Sequence, residues 1–308
     1  MMNKQTQEKK LVGATAILAG AVAMAIGGAG AYAGSSPAPS PYHEWNFNSA
    51  NVSGTAVNDI GGAMGTAAAA NGTLVGGATI GSGVLTTSGG TNQGVSLPSS
   101  IGSLPTSDTS GAFTVVDWFT FNSQAKSSNT LSFALYGSAS YARELPNVFG
   151  GAQLQAGADG AAGLQGAALP ANGALTMVAL SYNPDLTATG TGTSGGYLYY
   201  YENGSLQGSG NYAKGLSLGT MTDVVAGIGG FSNAAMGQAN AAFYGTTSDF
   251  QIYSSQLTPT QLAALNTAGP NTGSAAVPEP EPLALLALTI GGMLMLGRRV
   301  VSSGPQAL

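Results

Sequence analysis

Phe113-Thr114-Val115-Val116-Asp117-Trp118-Phe119-Thr120-Phe121 is the stretch on which the fold turns. Nine residues, mostly aromatic or β-branched, with no Gly or Pro among them, read as a strong strand. Outward from it, Thr130 to Tyr136 reads as a second strand, with Asn122 to Asn129 as the loop between. Leu175 to Tyr182 reads as a third. Tyr197 to Tyr201 and Ser205 to Gln207 flank Asn203-Gly204, a pair that supplies the positive φ angles of a type I′ hairpin turn. Val224 to Ile228 and Phe243 to Tyr253 are further strands; Leu74-Val75, Val84 to Thr87 and Val95 to Leu97 are weaker ones. A single helix is expected: Thr258 caps it, Pro259 takes its first position, and Leu262 and Leu265 give it a short apolar face. Short strands separated by turns, without a fixed repeat, predict an all-β fold built as a two-sheet antiparallel sandwich over residues 42–266.

Composition agrees. The chain of 308 residues holds 48 glycines, and charged residues make up 7% against 44% hydrophobic. Low charge with high hydrophobicity is not a disordered composition. Between residues 34 and 276 only Lys126, Arg143 and Lys214 are basic, against ten acids, a balance of −7. Nucleic-acid binding needs a basic stripe to neutralise phosphates, and none exists. Without cysteine there are no disulfides or thiolate metal sites.

The two ends read as addresses rather than fold. Lys4, Lys9 and Lys10 precede an apolar run from Leu11 to Ile26, and Ala31-Tyr32-Ala33 offers a small-x-small cleavage site, so residues 1–33 read as a signal peptide. Residues 34–41, rich in Ser and Pro, form a linker, and 267–276 a second one. At the other end, Val277-Pro278-Glu279-Pro280 leads into an apolar segment from Leu283 to Leu296, followed by Arg298-Arg299. Fourteen residues reach roughly 21 Å as a helix, and the arginine pair marks a cytoplasmic flank. Both terminal hydrophobic segments are expected to be helical.

Residues 277–308, in the order Val277-Pro278-Glu279-Pro280, apolar segment, Arg298-Arg299, resemble the PEP-CTERM sorting signal. That resemblance implies recognition by an exosortase-type membrane protease, a transient membrane anchor, and delivery to the cell envelope or the extracellular space.

The central region is similar to the laminin G-like, concanavalin A-like lectin/glucanase jelly roll. The residues that carry this are Trp45-Asn46-Phe47, Asp59-Ile60-Gly61-Gly62, Asn71-Gly72-Thr73-Leu74, the Phe113 strand, Val178 to Tyr182, Tyr199 to Gly204, Gly227 to Gly230, Asp249 to Tyr253, and Leu257-Thr258-Pro259 into Leu265. The resemblance implies a structural calcium ion (Ca2+) held by Asn58, Asp59 and Asp249. Glycosidases of this superfamily need two carboxylates about 5 to 10 Å apart. No strand here carries two acids at i, i+2 or i+4, and the glucanase pattern Glu-x-Asp-x-x-Glu is missing, so the chain is expected not to be an enzyme. His43, the sole histidine, sits at the linker's edge with no second ligand or nucleophile beside it. Tyr197, Tyr199 and Tyr201 share a strand face and are candidates for stacking on sugar rings, or are half-buried strand residues. Three functions remain open: an exported lectin-like surface or matrix protein that binds polysaccharide or another surface protein, a glycoside hydrolase or lyase, and a structural coat component.

Overall fold

The computed structural model describes residues 38–61, 69–102, 111–122, 131–137, 140–148, 151–158, 164–165, 171–184, 196–211, 222, 224–232 and 241–270. The signal peptide with Ala31 and Ala33, the sorting segment with Val277, Pro278, Glu279, Pro280, Arg298 and Arg299, and both expected terminal helices lie outside these residues. No helix among the described residues is long and apolar enough to cross a membrane.

In chain order the strands are β1 (His43–Trp45), β2 (Val52–Ser53), β3 (Ala56–Val57), β4 (Gly72–Val75), β5 (Thr79–Gly81), β6 (Val84–Thr91), β7 (Gln93–Leu97), β8 (Phe113–Phe121), β9 (Phe133–Tyr136), β10 (Ser140–Val148), β11 (Gly151–Ala158), β12 (Leu164–Gln165), β13 (Leu175–Asn183), β14 (Tyr197–Glu202), β15 (Ser205–Asn211), β16 (Val225–Gly230) and β17 (Ala242–Tyr253). They form two antiparallel sheets. One has the order β15-β14-β13-β8-β17-β6-β5, with β1 also paired to β17; the other runs β12-β11-β10-β9-β16-β7-β4-β3-β2. This arrangement is consistent with a jelly-roll sandwich.

The core lies between the sheets. Phe113, Val115, Phe119 and Phe121 of β8 point inward with Val178, Leu180 and Tyr182 of β13 and Phe250 and Ile252 of β17, meeting Phe133, Leu135 and Ile228 of the facing sheet. The alternate residues of the same strands point outward. Val116, Trp118, Met177, Ala179, Tyr201 and Tyr253 are nonetheless buried, because they form a second cluster with Leu257 and Leu262. Leu262 belongs to the helix α1 (Pro259–Ala268), whose N-terminus carries a full capping box between Thr258 and Gln261. This explains why β8 is apolar on both sides: one face meets the opposite sheet, and part of the other meets a helix. The hairpin turn forms as the sequence requires, with Asn203 at φ 48° and Gly204 at φ 76°.

The segment 137–172, Ala/Gly/Gln-rich, reads from sequence as either an insertion carrying function or a floppy loop; its described backbone forms β10 and β11, paired with each other and extending the sheet from β9. The Ala and Gly of β11 are poor strand formers, and it is β10 that pairs with the edge offered by β9.

Candidate functional site

The outer face of the eight-stranded sheet carries two polar features, built on β17 and its neighbours. The first is an open groove of about 460 Å³. Its floor follows from strand register. Thr246 of β17 lies directly opposite Thr86 of β6 on one side and Thr120 of β8 on the other, and Tyr244 lies opposite Ser88. Directly opposite residues share a face, so hydroxyls from three strands converge here, and the Thr120 and Thr246 hydroxyls are hydrogen-bonded at 2.5 Å. Asn122, Asn172 and Gly173 complete the wall. The peptide amide of Asn122 donates to the carbonyl of Tyr244, and that of Gly173 to Phe121, which fixes the wall to the sheet. Tyr244 is half-buried and no charged side chain lines the groove among the described residues.

The second feature is a buried acidic cluster farther along β17. Beyond an irregularity between Thr247 and Asp249, Asp249, Gln251 and Tyr253 alternate on the outer face. The Gln251 amide donates to Asp249, and the Tyr253 hydroxyl donates to Gln251. Glu44 of β1 lies opposite Gln251. Burial, and then the nearby Asp59 carboxylate, push the Glu44 carboxyl up to about 7. Burial and the Asp249 and Glu44 carboxylates drive the Tyr253 hydroxyl far above its ordinary range.

Asp59 sits in neither feature. Burial alone would raise its carboxyl, but hydrogen bonds from His43 and the amides of Glu44 and Gly61 outweigh that and hold it below the ordinary range. His43 Nδ1 donates to Oδ2 at 2.5 Å, and the Ala70 amide reaches the same oxygen; the Glu44 and Gly61 amides donate to Oδ1. Four protein donors occupy the two oxygens, which leaves Asp59 unsuited to calcium, an ion that needs six to eight oxygen ligands. Asn58 is half-buried beside it, its amide donating to the Asn51 carbonyl, and Asp249 is held by Gln251. The residues present do not fit the ion; among the described residues no three His, Cys, Asp or Glu side chains gather to hold a metal. His43, read as a linker residue, is in β1, 2% exposed and stacked on Trp45.

Tyr197, Tyr199 and Tyr201 do form a ladder, with ring centroids 5.0 and 6.5 Å apart. Tyr201 is buried beside Leu262, and Tyr197 and Tyr199 are half-buried. The groove residues were not among the sequence candidates. Alternation along each strand places Thr86, Thr120 and Thr246 outward, but nothing in the sequence aligns the three strands.

No protein-family model matches the chain, and no curated protein sequence matches it. Solved structures do. Trypanosoma rangeli sialidase, in complex with 2,3-difluorosialic acid, shares 18% identity with a TM-score of 0.50, over 73% of this chain and 32% of the sialidase. Domain 4 of an extracellular arabinanase from Geobacillus stearothermophilus, in complex with arabinotriose, shares 20% identity over 70% of this chain and 82% of that domain, with a TM-score of 0.38. The receptor-binding domain of botulinum neurotoxin type G shares 10% identity over 75% of this chain and 51% of that one, with a TM-score of 0.44. This chain thus spans about a third of the sialidase. At these identities the likeness concerns the fold.

The expectation that the chain is not an enzyme is corrected by the likeness to the sialidase. The fold occurs in part of a sialidase chain, so it gives no ground for excluding catalysis. The structure shows why a search along single strands was too narrow: Glu44 and Asp249 come to one face from strands some two hundred residues apart.

Proposed function

We propose that this chain is an exported surface or extracellular-matrix protein whose β-sandwich binds carbohydrate in the groove over β6, β8 and β17. One observation carries the reading: a preformed groove lined by threonine and serine hydroxyls, two asparagines and one tyrosine, without charge among the described residues. Hydroxyls and amides supply the paired donors and acceptors a sugar needs, and a tyrosine ring offers an apolar face with a polar tip. Its size falls in the range of small-molecule sites. The terminal segments complete the proposal: residues 1–33 direct export, and residues 277–308 engage an exosortase-type protease and anchor the chain in the membrane until processing. The folded region lies between two linkers.

The test is Tyr244→Ala in the full-length chain, assayed on a glycan array and by titration calorimetry. The expected result is a loss of affinity of about twofold to tenfold, since one aromatic contact contributes on the order of 0.5–1.5 kcal/mol. Unchanged binding would place the ligand elsewhere, with the tyrosine ladder as the next site to examine; no glycan binding would favour a protein partner or a coat role.

A second reading is supported by one observation. Glu44 and Asp249 are diagonal neighbours across β1 and β17, with their backbones about 7–8 Å apart, and burial pushes the Glu44 carboxyl up to about 7. A carboxylate pair with one member's pKa raised is what a glycosidase acid and base require, and here both members are buried. Release of reducing ends from a bound glycan over time would mark this reading, and its loss in Glu44→Gln would assign it.

A further inference from the structure

The groove's threonines belong to a longer row. Thr79 of β5 lies directly opposite Thr86 of β6, which lies opposite Thr246 of β17, which lies opposite Thr120 of β8. All four are on the outer face: Ile80, beside Thr79, packs on the inner core, as do Leu85 and Phe119 beside Thr86 and Thr120. Thr79 and Thr86 are exposed, and Thr246 and Thr120 half-buried. The row therefore crosses four strands at right angles to them. Neighbouring strands are about 4.8 Å apart, so the four residues span about 14 Å along the backbone, with the Thr120 and Thr246 hydroxyls drawn together into a hydrogen bond. Tyr244 stands two residues along β17 from Thr246, on the same face and beside the row.

We propose that this row is the track of an extended, neutral polysaccharide, which lies across the strands with one sugar unit per threonine and one ring against Tyr244. This rests on the carbohydrate reading of the groove and adds chain direction, length and charge class. The strand interval is close to the length of one pyranose unit, so each step along the glycan brings it to the threonine of the next strand, with Thr120 and Thr246 meeting it as a hydrogen-bonded pair. An acidic glycan would find no cation among the groove's described residues, and the surrounding chain is itself negative. A carboxylate or sulfate would lose water there without gaining a partner.

The experiment is calorimetric titration of the full-length protein with linear neutral oligosaccharides of one to six units (cello-, xylo- and malto-series) and with alginate and hyaluronan fragments of matched length. Affinity is expected to rise from one unit to four and then level. Thr79→Val, a substitution at an exposed edge residue, is expected to lower tetramer affinity about threefold to tenfold, the value of one hydrogen bond, while leaving binding of one or two units unchanged. Thr86→Val is expected to weaken every length. Binding that depends on Tyr244 but not on length or on Thr79 would overturn the row and leave the carbohydrate reading standing. Acidic fragments binding as tightly as neutral ones would overturn the charge class. No binding by any saccharide would overturn both.

Discussion

Asp59→Ala is expected to lower stability by about 3–5 kcal/mol, the cost of removing one member of a buried, charge-assisted network. The arrangement makes this figure large. The carboxylate is the shared acceptor for the His43 ring and for the amides of Glu44, Gly61 and Ala70. Alanine leaves four buried donors without a partner, and each such donor costs more than an ordinary hydrogen bond contributes. Urea unfolding of the full-length chain measures the loss. Its pH dependence gives an independent check. The native carboxyl is held below its unfolded value, so its contribution is complete above the unfolded pKa and disappears as pH falls through the native one. Asp59→Ala is therefore expected to differ from the parent chain least at strongly acid pH and most at neutrality. A substitution without effect at pH 7 would show that this network does not hold β1 to the sandwich.

Asp117→Asn is expected to do the reverse at alkaline pH. Asp117 is fully buried on the inner face of β8, with Val178 and Phe250 as its cross-strand neighbours. Burial pushes its carboxyl up to about 8, and Ser132 beside it offsets only part of that. Neither carboxyl oxygen has a hydrogen-bond partner of ordinary geometry. Because the native pKa lies above the unfolded one, the folded state binds more protons. Stability contributed by this residue falls as pH rises between about 4 and 8, by at most about 1.4 kcal/mol per unit, and is level above. Asparagine removes that slope but buries an amide in its place, at a cost of about 1–3 kcal/mol. The variant is expected to be no more stable than the parent near pH 4 and more stable by several kcal/mol at pH 9. Unfolding curves at both pH values read it directly, and parallel pH profiles for the two proteins would refute the assignment.

The parts of the fold legible in the sequence were those with local causes. Phe113–Phe121 forms a strand over the residues its aromatic and β-branched run demands. The Thr258-Pro259 helix start and the Asn203-Gly204 turn follow from side-chain capping and from backbone angles set within a few residues. What the sequence did not disclose depends on partners far along the chain. His43 follows a Ser/Pro-rich segment and looks like linker, but β1 pairs with β17, and burial of His43 and Glu44 comes from that pairing. Strand β11 contains too much Gly and Ala to be recognised by propensity, and β10 carries Pro146 and Asn147. The groove is the clearest case. Each of Thr79, Thr86, Thr120 and Thr246 is an ordinary strand residue, and only the register of four strands makes them a row; a slip of one residue in any strand would turn its threonine inward.

The central claim, that a neutral glycan binds the groove on β6, β8 and β17, is tested most directly by mapping amide chemical shifts of the isotope-labelled protein as a linear neutral tetrasaccharide is added. The expected changes fall on Thr86 to Ser88, Thr120 to Asn122, Asn172 and Gly173, and Tyr244 to Thr246. Changes confined to the tyrosine ladder of β14, or no changes at saturating sugar, would contradict it.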